Sequence, residues 1–122
     1  MPRFLVCILL IVCFLVNAPV SVFGQSLRQE YQEAEDPPLW VLDQIYRIRT
    51  VNVDSAAYYL QLAIDELADR EDTEQLARAY KERGILQYYT GNYEQELADL
   101  QQALDFAAKA KKVLETKPDA LL

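Results

Sequence analysis

The chain has 122 residues, two cysteines, no histidine and a net charge of −7, enough for one small domain at most. The acidic balance argues against nucleic acid, whose phosphates ask for a basic footprint, and against docking on anionic lipid. With no histidine, and with Cys7 and Cys13 both inside an opening apolar run, the rest of the chain lacks the commonest general base, the thiol nucleophile and the usual transition-metal ligands. The expectation is therefore no enzyme, no metal and no cofactor.

Met1-Pro2-Arg3 is a short basic start, Phe4 to Val16 an unbroken apolar run, and Asn17-Ala18-Pro19 a break. Val22-Phe23-Gly24 puts compact residues at the two positions a signal peptidase reads. That is the layout of a secretory signal over residues 1–24, with cleavage expected between Gly24 and Gln25. A retained anchor is the alternative, but spanning needs about 20 apolar residues and this run is shorter. A lipoprotein signal does not fit, because Cys7 follows Val6 and Cys13 follows Val12, not a small residue. Cleavage removes Arg3 and no acid, leaving 11 basic against 19 acidic residues, or −8. It also removes both cysteines, so the disulfides that brace many small secreted domains are not at hand. Helix packing, a partner or more chain must hold the fold.

Residues 25–36 are polar, with isolated Leu27 and Tyr31, and read as a leader that is either a frayed helix or irregular. Asp36-Pro37-Pro38 is a helix start: an acidic cap followed by proline in the first turn. The helix is expected to reach about Arg49, with Leu42, Ile45, Tyr46 and Ile48 as its apolar stripe, widened by Trp40 and Val41. Thr50 to Asp54 reads as a turn in which Asn52 caps a second helix, Ser55 to about Ala68, whose apolar face is Ala56, Tyr59, Leu60, Ala63, Ile64 and Leu67. Asp69 to Thr73 is a charged loop; Asp72 or Thr73 caps a third helix running to Thr90, and Asp72 with Gln75 fits a capping box. Gly84 sits in the middle of that helix, where it costs about 1 kcal/mol relative to alanine, so a close neighbouring helix is expected there. Gly91-Asn92 ends it and caps a fourth, which carries Leu97, Leu100, Ala103, Leu104, Ala107 and Leu114 on one face and gathers Lys109, Lys111, Lys112 and Lys117 toward its negative end. No strand pattern appears.

The chain repeats itself at a spacing of 40 residues. Trp40 lands on Tyr80, Ile45 on Ile85, Thr50 on Thr90 and Asn52 on Asn92, then Leu60 on Leu100, Ala63 on Ala103, Ile64 on Leu104 and Asp65 on Asp105. Two helices and a turn at a fixed period are the mark of a solenoid. The sequence predicts an all-α fold of two helical hairpins, residues 37–72 and 73–117, in a domain over 37–118.

These residues resemble the tetratricopeptide repeat, whose pattern is W-x2-L-G-x2-Y, then a small residue, a large one and a closing proline. Tyr80, Gly84, the Gly91-Asn92-Tyr93 turn, Leu100 and Ala103-Leu104 carry the likeness in the second hairpin; Trp40, Ala56, Leu60 and Ala63-Ile64 carry it in the first. The stretch Asp54 to Leu60 is similar to second helices of such repeats in exported bacterial sensor proteins. Departures are Arg83 and Asp43 at the leucine position, Gln44 at the glycine, Gln87 and Arg47 at the tyrosine, and Glu96 at the small-residue position. No proline closes the repeat at the standard distance, and the period exceeds the family's 34 residues, as in variants with lengthened helices.

The resemblance implies a right-handed, TPR-like α-α solenoid of two repeats, in the periplasm or outside a bacterial cell, that binds a protein or peptide on the concave side lined by first helices. Carried over, that face is Val41, Ile45, Ile48 and Arg49 with Arg78, Lys81, Ile85, Tyr88 and Tyr89. Trp40, Ala56, Leu60, Ala63, Tyr80, Gly84, Leu100 and Ala103 are expected in repeat packing, as are the aromatics Tyr46, Tyr59 and Tyr93. Glu96 is expected half-exposed or paired with Arg83. The family's carboxylate clamp is not expected, since Ile85 stands where it needs asparagine. About three repeats are needed for independent stability, and two are present. Self-association, a partner over the last helix, or a longer signalling protein of which this is the N-terminal sensor part would each answer that. The competing class is a structural bundle that self-associates and recognises no peptide.

Overall fold

The computed structural model describes residues 26–116, so the expectations for a signal peptide at 1–24 and for the domain's end at 117–118 lie outside the described residues. Residues 26–33 form a helix, α1, in a first unit that ends at Glu35. The polar leader is helical over that span, and Gln29 Nε2 donates to Glu33 Oε1 at 3.0 Å one turn on.

A second unit starts at Asp36 and holds four helices: α2 (Pro37–Val51), α3 (Val53–Asp69), α4 (Thr73–Tyr89) and α5 (Tyr93–Thr116). The described residues are helix and turn throughout, with no strand among them, so the fold is all-α. Pro37 and Pro38 occupy the first turn of α2, where the missing N–H groups would have no helical partner anyway. Asp36 does not cap that helix with its side chain. Its carboxylate instead accepts from Arg70 Nη1 at 3.0 and 3.2 Å, which ties the start of α2 to the end of α3.

One residue separates α2 from α3. Asn52 is extended and its side chain accepts from the Ser55 N–H at 3.0 Å, so the broad turn expected over 50–54 shrinks to a single capping residue. The other two junctions share a different geometry. At the end of α3 the Glu71 N–H bonds Ala68 O and the Asp72 N–H bonds Leu67 O; at the end of α4 the Gly91 N–H bonds Tyr88 O and the Asn92 N–H bonds Gln87 O. Both are Schellman closures, which need one residue in the left-handed region. Gly91 takes it at φ 77°, and Glu71 takes it at φ 55°. Asp72 then accepts from the Gln75 N–H at 3.3 Å, but the reciprocal half of a capping box is not made. The Asp72 N–H is already held by Leu67, and Gln75 Oε1 is buried without a partner.

The core lies among α2, α3 and α4. Leu42, Ile45 and Ile48 of α2, Leu60, Ile64 and Leu67 of α3, and Leu76, Ala79 and Leu86 of α4 are all buried, and these three helices contact one another. Each large side chain of this set contributes about 1.5–3 kcal/mol by leaving water. Helix α5 packs on α4 and on no other helix of the unit. The two run antiparallel, with Tyr80 stacked on Phe106 at 5.5 Å and Arg83 bound to Asp99. Gly84 makes this approach possible: a β-carbon there would lie 3.1 Å from Leu100 Cδ2 and 3.2 Å from Leu100 Cγ.

Two stability changes follow. Glu71→Gly removes left-handed strain worth about 1–2 kcal/mol, partly offset by the freer unfolded chain, and is expected to raise stability by about 0.5–1 kcal/mol in urea denaturation. Gly84→Val wedges α4 from α5 and is expected to lower it by about 1–3 kcal/mol; an unchanged midpoint would show that α5 yields freely.

Candidate interaction surface

The structure divides the nine residues expected on a concave face. Val41, Ile45 and Ile48 are 0, 4 and 2% exposed and belong to the core. Their spacing of four and three puts them on one stripe, and it is the centre of the face α2 buries. They do not line an open surface. The solvent side of α2 lies about half a turn round, at Asp43, Tyr46, Arg47 and Thr50.

On α4, Lys81, Tyr88 and Tyr89 are exposed, while Arg78 and Ile85 are partly buried. Because α2 and α4 run side by side, Arg78 Nη2 donates to Asp43 Oδ1 at 3.0 Å, and Arg49 Nη1 stands 3.9 Å from Glu82 Oε2. The Arg49 guanidinium also lies 5.1 Å from the Tyr46 ring centre and 5.3 Å from that of Tyr89. Both rings remain open, Tyr46 at 69% and Tyr89 at 62%. Tyr88 meets Tyr89 edge-on at 5.7 Å and Tyr93 at 6.2 Å. Tyr46 and Tyr93, expected in packing, are therefore surface residues. Periodicity held the signal for Tyr46, which falls well off the stripe through Val41, Ile45 and Ile48. The outcome is a line of tyrosines around an arginine across α2 and α4, the residue types that dominate protein-binding patches.

The other residues expected in packing lie between helices. Trp40 meets Tyr59 edge-on at 6.5 Å, and Ala56, Leu60 and Ala63 are buried. In the second hairpin Ala103 is buried and Leu100 is partly so, against Gly84.

Arg83 and Asp99 form a part-buried ion pair that sequence reasoning missed. Arg83 Nη2 and Nε donate to the two Asp99 oxygens at 2.8 and 3.2 Å, and Nη1 donates to Gln61 Oε1 at 3.0 Å. Gln95 Nε2 adds a bond to Asp99 Oδ1 at 3.2 Å. Asp99 is only 2% exposed. The hydrogen bonds to its carboxylate hold the Arg83 guanidinium above its ordinary pKa against the opposing effect of burial. Of the two expectations for Glu96, the structure shows the half-exposed one; the pairing with Arg83 is not made, because Asp99 takes the arginine. The clue was positional, since Asp99 stands 40 residues after the buried Tyr59. A mixed cleft beside this pair, lined by Gln61, Gln87, Asn92 and Gln95 together with Val53, Ala57 and Leu86, offers amides among apolar groups, with Arg83 already committed.

No group of three His, Cys, Asp or Glu side chains that would hold a metal ion occurs among the described residues, and no helix there is long and apolar enough to cross a membrane. Compared with known protein families, curated proteins and solved structures, the chain matches none.

Removing one partner of a buried ion pair strands the other. Arg83→Ala is expected to destabilise by about 3–5 kcal/mol, while Arg83→Leu combined with Asp99→Leu recovers most of that loss; urea denaturation of the full double-mutant cycle checks it.

Proposed function

We propose that this chain is an exported, TPR-like interaction module that takes a protein or peptide segment across α2 and α4. The observation that carries the reading is the Tyr46–Arg49–Tyr89 cluster, in which a largely buried guanidinium, 3.9 Å from Glu82, is flanked by two open aromatic rings. Tyrosine supplies large, stiff contact area with a polar tip, and an arginine already held in place loses little freedom on binding. A segment presenting aromatic or aliphatic side chains with a carboxylate nearby suits it.

Support for two stacked repeats comes from side-chain bonds that recur 40 residues on. Thr50 Oγ1 donates to Arg47 O, and Thr90 Oγ1 to Gln87 O, at 2.8 and 3.1 Å. Gln61 Nε2 donates to Asp65 Oδ1, and Gln101 Nε2 to Asp105 Oδ1, at 2.9 and 3.3 Å. The asparagine carbonyls at 52 and 92 each accept from the N–H four residues on. Support for export is the layout of residues 1–24.

The test is selection of a random peptide library on the immobilised protein. Enriched peptides are expected to lose at least about tenfold in affinity against Tyr89→Ala or Arg49→Ala, the scale of interface anchors, and to bind Glu71→Gly unchanged. Selection of nothing, or of peptides indifferent to both variants, removes this reading. Export is checked by N-terminal sequencing of the processed protein, with Gln25 expected first.

A further inference from the structure

Four open tyrosines come together where α2, the end of α4 and the start of α5 meet. Tyr46, Tyr88, Tyr89 and Tyr93 are each more than half exposed, and they form two neighbouring places. In the first, the rings of Tyr46 and Tyr89 flank the Arg49 guanidinium, at 5.1 and 5.3 Å from it. The Arg49 side chain is only 15% exposed, so the cation is the floor and the two rings are the walls. In the second, the Tyr88 and Tyr93 rings lie 6.2 Å apart at an interplanar angle of 56°. Rings inclined in this way do not seal each other's faces, and a wedge stays open between them. None of the four hydroxyls is hydrogen-bonded to another of the described residues.

The geometry points to a proline-rich segment in the polyproline II conformation as the occupant, with pyrrolidine rings seated in these two places. It rests on the interaction surface proposed above, whose call for aliphatic groups proline fills. Hydrogen bonding favours proline first. A proline run presents carbonyl acceptors and no N–H, so phenol O–H donors meet everything its backbone asks for. An ordinary extended chain also brings N–H groups and pairs them at a sheet edge, and an amphipathic helix asks for an unbroken apolar trough. The described residues contain no strand, and this surface is rings with polar tips. Charge distribution favours it next. An aromatic ring has a negative face, and the proline C–H groups beside the amide nitrogen carry partial positive charge, so the two surfaces are complementary. Spacing agrees. Polyproline II repeats every three residues, about 9 Å, and the two places lie within one to two such turns of each other, because their nearest rings, Tyr88 and Tyr89, are 5.7 Å apart. Prolines three or six residues apart on one face therefore seat together, and a chain already held in this conformation loses little freedom on binding.

Decaproline, which is polyproline II free in solution, is the probe. Titrated calorimetrically into the purified full-length protein, it is expected to bind saturably, while a glycine–serine decamer does not. Tyr89→Ala and Tyr93→Ala are each expected to weaken binding by at least about tenfold. Tyr58→Ala, at an exposed tyrosine of α3, is expected to leave it unchanged. Tyr88→Phe keeps the ring and removes one donor; it is expected to weaken binding by about two- to tenfold with the circular dichroism spectrum unaltered. Decaproline that fails to bind overturns the inference, as does decaproline that binds Tyr89→Ala as tightly as Tyr58→Ala. Library peptides that depend on Tyr89 but carry no prolines three or six residues apart also overturn it, and leave the α2–α4 surface standing with another class of segment. Library peptides of every kind indifferent to Tyr89→Ala remove the surface itself, and the inference with it.

Discussion

Helix α4 touches each of the other three helices of its unit, and the rest of the structure depends on how it meets that demand. Its residues fall into three stripes at spacings of three and four. Leu76, Ala79, Arg83 and Leu86 face the core and α3; Arg78, Glu82 and Tyr89 face α2; Tyr80, Gly84 and Tyr88 face α5. A helix with three neighbours cannot carry one simple apolar face. Gly84 and Arg83 are consequences of this. The glycine lets the α5 backbone come close enough for Tyr80 to stack on Phe106. The arginine reaches Gln61 on one side and Asp99 on the other, and so links α3 to α5, which do not pack on each other.

The Arg83–Asp99 pair adds specificity more readily than net stability. Desolvating two charges offsets most of their attraction, and an apolar pair of similar size often does as well. What an apolar pair lacks is a demand for register. With its carboxylate held by Arg83 and Gln95, Asp99 fixes how far α5 slides along α4, a variable that smooth alanine and leucine surfaces leave loose. Arg70 ties the other hairpin from the outside through Asp36 and Glu66, an exposed contact that solvent largely screens.

Most of the helices were legible because their ends obey local chemistry. Pro37-Pro38, Asn52, Asp72 and Gly91 each sit where backbone geometry asks for them. The turn at 50–54 was misread because its counterpart at 90–92 contains glycine and it does not. Val51, branched at Cβ, cannot take the left-handed conformation that Gly91 takes, so α2 runs on and Asn52 alone makes the junction. Ionic choices were less legible still: an aspartate within a helix full of acids gives no local sign that it is buried. The surface was only half legible. A resemblance supplies which helices face a partner, but the phase of α2 decides which of its residues do, and that phase is set by the core.

Burial in this molecule is decided by neighbours more than by local pattern. Leu60 and Leu100, or Ile64 and Leu104, occupy matching places, yet the first of each pair is sealed while its partner is partly or largely open. An apolar stripe therefore states that a face needs covering without stating by what. The two open surfaces of the second hairpin differ in kind for the same reason. Toward α2 the chain presents tyrosine rings beside the Arg49 guanidinium, whose polar edges are compatible with water. Toward the outside of α5 it presents leucine and alanine, which gain only by exclusion of water. Arg78 stands at the boundary: Asp43 holds its guanidinium on the α2 side, while the same residue lines the α4·α5 groove. A long aliphatic stem with a charged tip can serve both, and the two surfaces share that wall.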